Sequence, residues 1–138
     1  MIKEVKARAG EMGLENNLKI MGRVLYSDVK KYFKASDMFV ITSIYEGTCM
    51  VLHEAAICKL PIVATAFAGA RDFIKDHENG FRTDVKDYRA IAERIIYLLE
   101  YSEDAKRMGE EGYKKVKKMY NKDLVLEKYK GLFEKAIK

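Results

Sequence analysis

Short apolar runs separated by helical patterns constrain this chain most. MFVI at 38–41 and PIVA at 61–64 are four residues each, bounded by small, polar or proline residues. That is strand length rather than helix length. Between them lies CMVLHEAAIC at 49–58, apolar on nearly every side, which predicts a buried helix. NLKIM at 17–21 reads as an earlier short strand and FRT at 81–83 as a last small one. Strands this short and this apolar, alternating with helices, predict a Rossmann-like α/β fold: a parallel sheet with helices on both faces. Pro61 suits the start of its strand, where a missing N–H does least harm.

The remaining pattern is helical. Ile2, Val5, Ala9 and Met12 recur at helical spacing, and Gly13 stops that segment. Ser27 is the expected cap of a helix whose inward face is Val29, Tyr32 and Phe33. A short helix is expected over 72–75, then a turn at Asn79-Gly80. Tyr88, Ile91, Ile95 and Leu98 form one stripe, and Met108, Val116 and Tyr120 mark a second segment. Asn121 caps a last helix expected to bury Val125, Tyr129, Leu132 and Phe133. The 138 residues suffice for one core, so the chain is read as one domain over 1–138.

Several function classes lose ground on composition. No apolar run reaches the ~18 residues of a membrane span, and the amphipathic N-terminus lacks the apolar centre of a signal peptide. Cys49 and Cys58 on one helix would be separated by a rise of ~13.5 Å, too far for a disulfide. Free thiols and a cytoplasmic setting are therefore expected, with Cys58 a small buried apolar residue. No Cys or His grouping has metal-ligand spacing, so no metal is expected. Residues 114–138 carry nine lysines against Asp123, Glu127 and Glu134. Such a run is first a solvated helical face. Peripheral contact with an anionic membrane is the sharper alternative, and nucleic acid is disfavoured because arginine is scarce there.

Parallel sheets bind ligands beyond the carboxyl ends of their strands. Residues 42–48 and 66–71 follow two adjacent strands and open on that edge. Glu46 lies in the first loop and Glu54 in the apolar helix after it. A helix starting near Thr48 or Cys49 would aim free N–H groups of Gly47, Thr48, Cys49 and Met50, and its positive dipole end, at one pocket. Those N–H groups suit phosphate, and the two carboxylates accept bonds from hydroxyls. A phosphorylated sugar or nucleotide-sugar satisfies both. The plainer reading of Glu46 is a favourable dipole partner. Glu54 must reach water, a partner or a ligand, because burying it unpaired costs several kcal/mol.

These residues resemble a known family. S-x-Y-E-G at 43–47, V-L-H-E-A-A at 51–56, L-P-I-V-A-T at 60–65, A-G-A-R-D-F-I at 68–74 and E-N-G-F at 78–81 follow, in order and register, the family 4 retaining glycosyltransferases of GT-B architecture. The resemblance covers roughly 2–133. It implies a donor-binding domain in which Glu46 meets the hydroxyls of the donor sugar and Glu54 the ribose. It implies that the backbone of Gly47, Thr48, Cys49 and Met50 meets the diphosphate, and that Gly22, Arg23 and Val24 lie near the base. No cofactor or metal is implied beyond the nucleoside-diphosphate sugar, with a glycan, lipid or small molecule as acceptor. A non-catalytic nucleotide-sugar-binding subunit, or one part of a split enzyme, is the alternative.

The sequence departs from the family pattern at Cys49, Ala66, Ala68 and Asp72, where a small residue, aspartate, glycine and glutamate are usual. The family's first two strands of this domain, its diphosphate-binding arginine and lysine, and its acceptor domain have no counterpart here. The sheet is therefore expected to be incomplete, with MFVI at an edge. NLKIM is expected to re-pair with it, to pair with a second chain, or to need a missing part. Activity of the chain by itself is doubtful on that ground. His53 is read as packing, one helical step (~100°) from Glu54. Arg71 and Asp72 are read equally as cleft-lining or as the start of a short helix.

Overall fold

The computed structural model describes residues 2–137. Along the chain come α1 (Ile2–Glu11), α2 (Tyr26–Lys34), β1 (Phe39–Ile41), α3 (Met50–Ile57), β2 (Ile62–Thr65), α4 (Ala68–Phe73) and β3 (Phe81–Thr83). Three helices close it: α5 (Tyr88–Glu100), α6 (Ser102–Met119) and α7 (Lys122–Ala136). The strands form one parallel sheet in the order β1-β2-β3, with Phe39 opposite Ile62 and Val63 opposite Phe81.

The central strand shows why apolar runs without alternation predicted this. Every residue of β2 is buried. Ile62 and Ala64 point into a core with Phe33, Leu52, Ala55, Ala56, Phe73 and Val116. Val63 points the other way, into a second core with Phe81, Leu98 and Met108. The period of two that a strand imposes thus serves both faces, with α3 on one and α5 on the other. Helix α6, ~27 Å long at 1.5 Å per residue, places Met108 in the second core and Val116 in the first. Its Gly109 crosses the turn after α3 so closely that a Cβ there would lie 2.0 Å from the Lys59 carbonyl oxygen.

Local signals held at several positions. Gly13 is left-handed (φ +65°) and ends α1, with Leu14 N–H donating to the Ala9 carbonyl. The Asn121 side chain accepts from the N–H groups of Asp123 and Leu124. The turn before β3 contains Asn79 and Gly80. Asn79 is 2% exposed, accepts from Lys75 N–H and donates to the Phe73 carbonyl.

Other expectations are corrected. Residues 17–21 are not a strand: they run as turn and irregular chain. A strand exists through its ladder, and nothing among the described residues pairs with this segment. β1 is the sheet edge, as expected, with Val40 36% exposed. Ser27 does not cap α2, which begins one residue earlier behind Leu25 without a side-chain cap; Phe33 is buried, but Tyr32 is exposed. The short helix covers 68–73 rather than 72–75, so Arg71 and Asp72 lie in its last turn. Asp72 therefore cannot serve the positive end of its dipole. Small residues decide that start: Gly69 and Ala70 are buried against the neighbouring loop. The last helix buries nothing. Val125, Tyr129, Leu132 and Phe133 are all exposed, because α3, α5 and α6 already cover both faces of the sheet.

Candidate functional site

The carboxyl ends of β1 and β2 are joined by one short bond: the Thr65 hydroxyl donates to the Ser43 carbonyl at 2.5 Å. Thr65 is 1% exposed, so this bond is shielded from water and fixes where the chain leaves β1. Ser43 in turn donates its hydroxyl to Glu46 Oε1 at 3.3 Å, which holds the half-buried glutamate in the loop. The next residues pack against α4. A Cβ on Gly69 would lie 2.3 Å from the Gly47 carbonyl oxygen and 3.1 Å from the Thr48 carbonyl carbon. The two loops that the sequence places on one edge do meet there.

Helix α3 begins at Met50, one or two residues later than expected. Cys49 stands at its N-cap in a left-handed conformation (φ 46°) with no side-chain cap bond. Among the described residues, the N–H groups of Gly47, Thr48, Cys49 and Met50 have no protein acceptor. The start of the helix therefore presents free donors at the mouth of the sheet. Burial, with the Glu46 charge adding to it, pushes the Cys49 thiol up from its ordinary range. It stays protonated at neutral pH and is no nucleophile. Cys49 and Cys58 are both free and half-buried.

Glu54 occupies the middle of α3, half-buried. The Tyr26 hydroxyl donates to its Oε1 at 3.1 Å. The two side chains line a cavity of about 310 Å³ between α2 and α3, walled by Val29, Phe33 and Ile57. The Glu54 carboxylate holds the Tyr26 proton more firmly and raises that pKa. Pattern reading missed Tyr26. Its position 28 residues from Glu54 carries no local signal; its place at the first position of α2 is the only hint. Glu46 does not line this cavity. The expectation that both carboxylates open on one pocket is corrected: Glu46 sits in the loop after β1, bonded to Ser43, and Glu54 lies between α2 and α3.

Gly22, Arg23 and Val24 lie in the irregular segment before α2, with Gly22 left-handed (φ +65°). Arg23 is exposed and Val24 half-buried; neither lines the Glu54 cavity. His53 points into the core, 3% exposed. Its Nδ1 is 3.0 Å from the Tyr120 hydroxyl, and its ring meets Phe73 edge-on at 4.7 Å. Burial, helped by the Lys115 charge, lowers its pKa and keeps it neutral. It is a packing residue, as its direction on the helix suggested. Among the described residues, no grouping of His, Cys, Asp or Glu is placed to hold a metal ion. None of their helices is long and apolar enough to cross a membrane.

Comparison with known proteins bears on the same residues. The family model of glycosyl transferases group 1 matches residues 2–115. The putative glycosyltransferase EpsD of Bacillus subtilis is 36% identical over 88 residues, 64% of this chain and 23% of that protein. The N-acetyl-alpha-D-glucosaminyl L-malate synthase of Bacillus anthracis is 27% identical over 124 residues, 87% of this chain and 32% of that protein. Among solved structures, the C-terminal domain of the group 1 glycosyl transferase LpcC from Francisella tularensis superposes with a TM-score of 0.79. It is 27% identical, over 87% of this chain and 62% of that one. TarM superposes with a TM-score of 0.82 at 27% identity, over 95% of this chain and 26% of that one. The chain thus spans about a quarter to a third of the curated relatives it matches. With the parallel sheet, the register of its motifs and the loop-to-helix geometry already in place, the chain belongs to the group 1 glycosyl transferases and has the α/β fold of their GT-B members.

Proposed function

We propose that this chain is the donor-binding part of a retaining glycosyltransferase. It takes a nucleoside-diphosphate sugar, and the sugar passes to a glycan, lipid or small acceptor bound by a further part of the enzyme, on the same chain or another. The observation that carries this reading is the start of α3: four consecutive N–H groups without protein acceptors among the described residues, at the carboxyl edge of a parallel sheet, in a member of this family. A diphosphate accepts bonds from such donors. Fixed donors of this kind stabilise charge on the leaving diphosphate as the bond to the sugar breaks. A fold relative of 22% identity, HepE, was solved in complex with UDP-glucose, which supports the ligand class.

In this reading Gly47, Thr48, Cys49 and Met50 hold the diphosphate, Glu46 meets the sugar hydroxyls, and Glu54 meets the ribose. Gly22, Arg23 and Val24 lie beside the base. The Tyr26 hydroxyl, exposed and bonded to Glu54, occupies the acceptor oxygen that a ribose hydroxyl would take, so ribose displaces it. The lysines of α6 and α7 supply a peripheral contact with an anionic membrane, suited to a lipid acceptor. Calorimetric titration with UDP tests the core of the proposal. The wild-type chain is expected to bind, and Glu54→Ala to bind at least tenfold more weakly, about 1.4 kcal/mol. Equal affinity would remove Glu54 from the site.

A further inference from the structure

A second polar cavity, of about 470 Å³, opens where β2 and β3 end. None of its lining residues lines the cavity at Glu54. Arg71 reaches it from α4, Arg82 and Thr83 from β3, and Arg94 from α5. Among the described residues, none of these three guanidinium groups has a carboxylate partner. The Nε of Arg82 is buried without an acceptor. Thr83 is 6% exposed, and its hydroxyl is buried without any partner. A buried polar group left unpaired is unfavourable, and two beside one cavity call for an explanation. The strand supplies the placement: Phe81 and Thr83 are buried, which turns Arg82 to the opposite face. Arg94 is held over the Phe81 ring at 4.9 Å, so its charge has a fixed seat.

The acidic residues of the cavity narrow the ligand. Asp76 accepts from the Arg82 N–H at 2.8 Å and has its other oxygen 3.6 Å from His77 Nε2. Asp87 accepts from the Ala90 N–H at 3.0 Å. Asp84 lines the cavity; its carbonyl accepts from the Asp87 N–H at 3.2 Å, and among the described residues its carboxylate has no hydrogen-bond or ion-pair partner. Three arginines face three aspartates, so the formal charges cancel, and a multiply charged nucleotide gains little there. A ligand with one anionic head and several hydroxyls meets both sets. The head accepts from the guanidinium groups of Arg71, Arg82 and Arg94, while hydroxyls donate to Asp84.

We propose that this cavity binds a small hydroxylated anion, a sugar phosphate or a sugar acid. The site is separate from the one assigned to the nucleotide and does not depend on that assignment. Glucose 1-phosphate and glucuronate are the probes, with glucose as the neutral control and sodium chloride matching ionic strength. ¹H–¹⁵N spectra of the chain should show saturable shifts at Arg82 Nε–H and at the Thr83 amide with one or both anions. Glucose should give none. The anion giving the tighter saturation identifies the head group. Arg71→Gln, at an exposed position, and Arg82→Gln should each weaken binding at least tenfold, read at the Thr83 amide. Three results overturn the proposal: shifts that follow ionic strength alone, shifts confined to residues 47–50, or unchanged affinity in both variants.

Discussion

Replacing Gly69 by alanine tests the meeting of the two loops, because the substitution adds a single methyl group where there is no room. The new Cβ would lie 2.3 Å from the Gly47 carbonyl oxygen and 3.1 Å from both the carbon and the oxygen of the Thr48 carbonyl. Those are backbone atoms and cannot swing aside as the end of a lysine would. Normal contact needs about 1 Å more, so either α4 retreats or residues 47–48 move. Overpacking of this kind costs about 1–3 kcal/mol. For a domain of this size each kcal/mol corresponds to about 3–5 °C in melting temperature. A fall of about 3–15 °C in calorimetry is expected. Residues 47–48 also carry part of the donor array at the start of α3, so UDP affinity should fall about tenfold or more, since positioned donors lose strength steeply with misplacement. Gly47→Ala is the control: nothing lies within 4 Å of a Cβ there, and stability should change by less than about 0.5 kcal/mol. If Gly69→Ala melts within 1 °C of wild type, the two loops do not touch as described, and the placement of the donor array loses its support.

Three further outcomes follow from the packing. Thr65→Val keeps the shape but removes the donor to the Ser43 carbonyl, leaving it unpaired in a half-buried loop; urea titration should show a loss of about 1–3 kcal/mol, and Thr65→Ser should recover most of it. His53 has a folded-state pKa below its unfolded value. Its contribution to stability is therefore complete above about pH 6.5 and is lost as pH falls through the lower folded value. Melting temperature measured from pH 8 to 5 should decline more in wild type than in His53→Gln, and parallel profiles would refute the role of burial. Lys59 ends α3 in a left-handed conformation (φ 62°), with the N–H groups of Lys59 and Leu60 bonded back to Ala56 and Ala55. Lys59→Gly relieves about 1 kcal/mol of backbone strain and gives up an exposed pair with Glu110 and a contact over the Tyr113 ring, both weak in water. A melting temperature equal to or slightly above wild type is expected; a drop of 5 °C would mean that these contacts outweigh the strain.

What pattern reading recovered, and what it missed, divides along a physical line. β2 was legible because its neighbours on both sides are segments of the same chain. MFVI and FRT were legible for the same reason, each needing only β2 as partner. Asn121 and Gly13 were legible because a cap is satisfied within a few residues. NLKIM has the composition of a strand and is none, since strand formation requires a ladder that no described segment provides. The apolar stripe of α7 has the same character: its residues repeat at core spacing, yet the faces they would cover are already taken by α3, α5 and α6. In both cases composition records a need for a partner surface, and only the fold shows whether one is present.

The candidate site obeys the same division. The donors at the start of α3 follow from where the apolar helix begins, so spacing alone located them to within two residues. Glu46 and Glu54 were expected at one pocket, yet Glu46 does not line the cavity at Glu54, and the partners of neither were legible. Ser43 lies three residues from Glu46 and still required the turn of the loop, fixed by Thr65 from the neighbouring strand, to face it. Tyr26 reaches Glu54 across 28 residues and depends on how α2 settles on α3. The carboxylate in the apolar helix does lie at a cavity, one walled mainly by apolar side chains. The reason is energetic and independent of family: unpaired it is too costly to bury, so the fold must leave it an opening or a donor. At Glu54 it leaves both, a cavity and the Tyr26 phenol as donor.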